Sequence, residues 1–122
     1  MGEVRGYRDL KVWQMAMDLA QLVYSATATF PTSEVFGLAS QLQRAAVSVP
    51  SNIAEGHARE STKDFLRFIS IAQGSLAELE TQLLLARRLE YLDESKLLSL
   101  TAQTNEIGRM LRGLQRSLKQ HL

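Results

Sequence analysis

The chain has 122 residues, with fourteen Lys and Arg against thirteen Asp and Glu, and it contains no cysteine. That length makes a single domain, long enough to bury a core of its own. The missing thiols exclude disulfide scaffolds, thiol catalysis and cysteine-based metal centres, and the near-neutral balance means that any grip on nucleic acid must come from local clustering of charge.

The opening Met1 to Gly6 has neither the apolar run of a secretory signal nor the Ser or Thr that myristoylation requires at the sixth residue. No segment approaches the roughly 20 apolar residues that span a bilayer. These features predict a cytoplasmic protein without membrane contact.

The first predicted helix follows Asp9 as N-cap and runs to about Phe30, where Pro31 stops it. Leu10, Trp13, Met17, Ala20 and Tyr24 recur at steps of three and four and are expected to face the core. Aromatic side chains at such spacing are more often core than contact surface, although Tyr7, Trp13 and Tyr24 are the candidates for contacts.

The second helix is expected from about Thr32–Glu34 to His57. Leu38, Leu42, Ala45, Val49 and Ile53 share one sector of it. Gln41, Arg44, Ser48, Asn52 and Glu55 form an adjacent polar row, and between Gln41 and Gly56 only Arg44 and Glu55 are charged. The remaining side carries Ala39, Gln43, Val47 and Ala54. A helix on the outside of a monomer would show Lys and Glu there. The pattern predicts burial on most sides, partly by other copies of the chain. Pro50 removes one backbone hydrogen bond and presses on the carbonyl of Ala46, so a kink is expected near it, with helix on both sides. Two separate helices, with Ser48 capping the second, is the alternative. Gly56 is expected as a C-cap and His57 as a partner of the helix dipole.

The third helix is predicted after Ser61, with Asp64 completing a weak capping box. Phe65, Phe68, Ile69, Ala72, Leu76, Leu79, Leu83 and Ala86 form its apolar stripe, which fades around Glu90. Ser75, Glu78 and Gln82 form a polar row beside it. Folding the two helices about a turn near Ala58 to Glu60 sets Arg44 opposite Ser75 and near Glu78, and sets Asn52 and Glu55 opposite Arg67, Asp64 and Lys63. These rows are expected to act as a structural seam, with Glu78 as the partner of Arg44 and a neighbouring copy's Glu55 as the second choice.

The fourth helix opens at Asp93 and continues through Leu97, Leu100, Ile107, Met110, Leu111, Leu114 and Leu118. Connections of about three to six residues make neighbouring helices antiparallel. The fold class is therefore an all-α, up-down-up-down four-helix bundle.

Arg109, Arg112, Arg116 and Lys119 share the outer face of the fourth helix, and no acid lies after Glu106. They are the candidate nucleic-acid contacts, although basic residues also favour a helix C-terminus for electrostatic reasons alone. Arg59, Lys63 and Arg67 form a second possible anion site, diluted by Glu60 and Asp64. No aromatic residue is interleaved with either cluster, which argues against base-specific readout. An enzyme is not expected. The histidines are His57 and His121, no Glu-x-x-His pair is present, and phosphate-loop, nucleophile-elbow and dinucleotide motifs are missing. No cofactor or metal is implied.

"RDLKVWQ" at Arg8, "FP" at Phe30, "GLASQLQRAAVSVPSNIAEG" at Gly37 and "FLRFISIAQGSLAELETQL" at Phe65 resemble the four-helix-bundle family of 23S ribosomal RNA intervening-sequence proteins. The likeness runs from about Arg8 to Leu92 and is looser in the last helix. It implies a bundle that assembles with itself into a ring, a homopentamer. The fold is also similar to the accessory protein of diversity-generating retroelements, a basic ring that engages a reverse transcriptase and nucleic acid. Gln73 stands where some family members are expected to carry Arg, which removes one positive charge. RNA, DNA or a partner protein docked on the ring are the partners the resemblance suggests.

Overall fold

The structure is a computed structural model, and it describes residues 6–122. The readings of signal and lipidation on residues 1–5 lie outside the described residues. A 3-10 turn at Tyr7–Asp9 leads into α1 (Lys11–Thr27), α2 (Leu38–His57), α3 (Thr62–Arg88) and α4 (Glu94–Lys119), with a second 3-10 turn at Thr32–Glu34. The helices form a four-helix bundle in which α1 packs on α2 and α4, and α3 packs on α2 and α4. Cross-links between α3 and α4 fall at Arg87–Glu94, Glu80–Thr104 and Gln73–Gln115. Partner numbers that diverge this way require an antiparallel pair.

Two helix starts follow from their caps. Ser61 accepts the Asp64 amide at 3.0 Å, and Asp93 accepts the Lys96 amide at 2.7 Å. Each satisfies a donor that the helix itself cannot. The first start differs from expectation. Asp9 belongs to the 3-10 turn, and α1 begins after Leu10 without a side-chain cap. The end of α1 also comes early. The Thr27 hydroxyl donates to the Val23 carbonyl at 2.9 Å, and that of Thr29 donates to Ala26 at 3.1 Å. These hydroxyls engage carbonyls of the last turn, and the chain leaves the helix before Phe30.

The α1–α2 connection is the longest, because α2 starts at Leu38 rather than near Thr32. Glu34 fixes it. Its carboxylate accepts the Leu38 amide at 3.0 Å and the Tyr91 hydroxyl at 2.9 Å. The bond from Leu38, and then that from Tyr91, hold the Glu34 carboxyl below its ordinary value. The same bond to Glu34 pushes the Tyr91 phenol up. The α3–α4 turn is closed by Glu90 in the left-handed region, φ 65°, with the Tyr91 amide donating to Ala86 at 2.9 Å.

The core is built from Leu19, Val23, Leu42, Val49, Ile53, Ile69, Leu79, Leu83, Leu100, Ile107 and Leu111, all almost fully buried. The stripe read for α3 is buried except at Phe65, which is half-buried. The stripe read for α1 is not the core face. Val12, Ala16, Leu19 and Val23 point inward, and of the expected set only Ala20 is buried. Met17 and Tyr24 are 46% and 49% exposed. Both faces of α1 are apolar, so the helical period alone could not choose between them.

α2 is one continuous helix across Pro50, which excludes the two-helix alternative. Gly56 is not a C-cap. It lies inside α2, buried, and a Cβ there would stand 2.6 Å from the Phe68 Cβ and 3.0 Å from a Phe65 ring carbon. The missing side chain lets α2 and α3 approach closely, and the chain leaves the helix through Ala58 instead.

Candidate nucleic-acid interface

Arg112, Arg116 and Lys119 are exposed on α4. A Cβ on Gly108 would lie 3.4 Å from an Arg112 nitrogen, and one on Gly113 would lie 3.7 Å from an Arg116 nitrogen. Both guanidinium groups therefore lie back along the helix, over positions that carry no side chain. Arg112 also borders a groove of about 390 Å³ between α3 and α4, across from Glu80. The ion pairs among the described residues are Arg59–Glu55, Arg87–Glu94 and Arg109–Glu106. Arg112, Arg116 and Lys119 belong to none of them.

Arg109 differs from the other three. Its guanidinium donates twice to Glu106, at 2.6 and 2.9 Å. This bidentate bond lowers the Glu106 carboxyl below its ordinary value and raises the guanidinium further. The four-residue stripe thus presents three free charges and one that is already neutralised. The sequence contained the warning, since Glu106 sits three residues before Arg109, a helical neighbour.

The second basic cluster is also partly occupied. Arg59 bonds Glu55 at 2.9 Å. Arg59 and Arg67 both lie over the Phe68 ring, at 5.0 and 4.6 Å from its centre. Lys63 is exposed beside them. His57 packs edge-on against Phe65, with ring centres 5.6 Å apart. Among the described residues no three acidic or imidazole groups converge as a metal site would require.

Of the expected polar seam, Ser48, Asn52 and Ser75 come together, in a register different from the expected one, while Gln41, Arg44, Glu55 and Glu78 are exposed. Ser48, not Arg44, opposes Ser75, with their hydroxyls 2.8 Å apart. Asn52 donates to the Ser48 hydroxyl at 2.9 Å and to its carbonyl at 2.8 Å. The close approach at Gly56 sets this register about one turn away from that of a turn centred near Arg59. Arg44 is exposed and forms no ion pair with Glu78, although both border one groove of about 400 Å³ with Gln41 and Gln82. Glu55 turns to Arg59 rather than to Lys63 or Arg67. Gln82 is buried, and its side-chain carbonyl oxygen has no partner. Another polar link escaped the sequence reading. Gln73 donates to Gln115 at 3.1 Å, and Gln115 donates to Ser70 at 3.4 Å, joining α3 to α4.

One concavity is mainly apolar. A groove of about 690 Å³ between α1 and α2 is walled by Trp13, Met17, Tyr24, Val47 and Ala54, with Tyr7 at one end. Tyr7 and Trp13 stack edge to face at 5.3 Å. Among the described residues no helix is long and apolar enough to cross a membrane.

Residues 8–113 match the family described as 23S rRNA-intervening sequence protein. A solved structure from Bacteroides thetaiotaomicron, described as a protein of unknown function from the S23 ribosomal protein family, is similar in fold. It superposes with a TM-score of 0.77 at 24% identity, over 85% of this chain and 97% of that one. No curated protein matches the chain.

Proposed function

Because the chain belongs to the 23S rRNA-intervening sequence protein family, we propose that it is a non-enzymatic bundle that assembles with itself and holds nucleic acid by its phosphates. The observation that carries this reading is the free charge of Arg112, Arg116 and Lys119 along one outward face, with no acid beyond Glu106. These residues span roughly 10 Å of helix, enough to meet a few phosphates. A single such stripe binds weakly. A homo-oligomer, a ring of five as the family resemblance suggests, repeats it and multiplies the counterions released.

Binding of this kind is sequence-tolerant, because phosphate contacts position without specifying. It is also salt-sensitive. Three phosphates per stripe correspond to a log–log slope of about −2.7 on duplex DNA, or about 40-fold in affinity between 50 and 200 mM salt. The assembled protein should show a steeper slope than that.

The test is fluorescence anisotropy with a labelled structured RNA and a duplex DNA at low and physiological salt. Replacing Arg112, Arg116 and Lys119 together by Gln should abolish binding with the oligomer intact, and Arg109→Gln should have little effect. No binding by the unaltered protein at low salt would overturn this reading. It would favour the alternative of a scaffold that docks a partner protein, for which the α1–α2 groove is the supporting feature.

A further inference from the structure

Phe36 is 96% exposed at the tip of the α1–α2 connection, and Val35 beside it is 50% exposed. An aromatic ring left wholly in water forgoes a large part of its burial energy. On the same chain, the α1–α2 groove of about 690 Å³ is apolar and open. Phe36 cannot fill its own groove. Val47 lies roughly 14 Å along α2 from the start of the helix at Leu38, and Ala54 roughly 24 Å, at 1.5 Å per residue. A phenylalanine side chain does not reach that far.

We infer that Phe36 of one copy inserts into the α1–α2 groove of the next, between Trp13, Met17, Tyr24 and Val47. This inference rests on the self-association proposed above and names its interface. The electrostatics suit burial on both sides. From Thr29 to Gln43 the one charged residue is Glu34, and its carboxylate is already bonded to the Leu38 amide and the Tyr91 hydroxyl. Among the described residues that line the groove, the one charged side chain is Asp18. Docking therefore strips water from almost no unpaired charge, as the centre of a stable interface requires. Knob and groove are different surfaces, so the contact is head-to-tail. Such contacts propagate until they close into a ring or extend as a filament, whereas a two-fold contact stops at the dimer.

Two variants separate these geometries. Phe36→Asp removes the knob and keeps the groove. Val47→Glu spoils the groove and keeps the knob. Each alone should be monomeric by sedimentation velocity at micromolar concentration, with unchanged helical circular dichroism, because both sites are exposed in the single chain. Mixed one to one, they should form a heterodimer and nothing larger, since one productive contact remains. Trp13, the single tryptophan, reports locally. Its emission should shift to longer wavelength and its acrylamide quenching should rise in each variant alone, and about half of each change should be reversed in the mixture, because only the groove of the Phe36→Asp copy is filled. A mixture that stays monomeric, or a Phe36→Asp protein with the wild-type mass, overturns the knob-and-groove contact. In the second case self-association stands without it. A monomeric wild type overturns self-association as well.

Discussion

α2 is flanked by two sides that are built from similar residues and end differently. Toward α3 it is closed. Val49 and Ile53 are fully buried, Gly56 brings the backbones together, and Ser48 and Ser75 satisfy each other. Toward the groove it shares with α1 it is open, with Val47 and Ala54 uncovered beside Met17 and Tyr24. The closed side shows what small, uncharged positions do in this chain when a partner is present. The open side offers the same materials uncovered. Substitutions on the closed side should therefore register as stability, and those on the open side as mass.

The sharpest contrast uses two valines on one helix. Val49 is 0% exposed and Val47 is 41% exposed. Val49→Asp buries an unpaired charge at a cost of several kcal/mol, a large share of the stability of a small domain, and should leave the protein unfolded or molten. Val47→Glu should keep a cooperative thermal transition and lose the assembled mass. Equal behaviour of the two variants would erase the distinction.

Two glycines make a second contrast. Gly56→Ala forces a methyl against Phe68 and should cost about 1–3 kcal/mol in urea denaturation, after the gain in helix propensity. Gly74 lies exposed in α3, and a Cβ there would meet nothing within 4 Å. Gly74→Ala should raise stability by about 0.5–1 kcal/mol. The same substitution thus carries opposite signs inside and outside the seam. Ser75→Ala, which leaves Ser48 bonded to Asn52, should lower stability by about 1 kcal/mol.

Much of this fold was legible in the sequence. Ser61 and Asp93 announced two helix starts, and the α3 stripe named its buried face. The four-helix bundle and the family were read from patterning and motifs. The failures share one cause, since a helical period fixes a spacing but not a direction. α1 carries apolar residues on two faces, and only packing shows that Val12, Ala16 and Leu19 win the core while Trp13 and Met17 form a wall of the groove. The seam failed in register for a related reason. Its pairing depends on how closely two backbones approach at Gly56, which no residue count across the turn reveals. Arg109 shares the period of the basic stripe, but Glu106 three residues earlier engages it, which the spacing of the bases alone does not reveal.

The smallest effect on stability is expected at Arg44. Exposed and without an ion pair, it should tolerate Arg44→Met within about 0.5 kcal/mol in the single chain, as surface positions generally do. A change of several kcal/mol would mean that the residue is buried against another copy.

On the function proposed above, assembly turns a weak basic stripe into a nucleic-acid surface. The direct measurement is duplex DNA binding by the wild-type protein and by Val47→Glu, side by side across a salt series. Arg112, Arg116 and Lys119 lie on α4, away from Val47, so the variant keeps every phosphate contact within a chain. The monomeric variant should lose at least tenfold in affinity at low salt, with its slope falling to about −2.7, the value for three phosphates. A monomeric Val47→Glu protein that binds as tightly as the wild type, with the same salt slope, would contradict it.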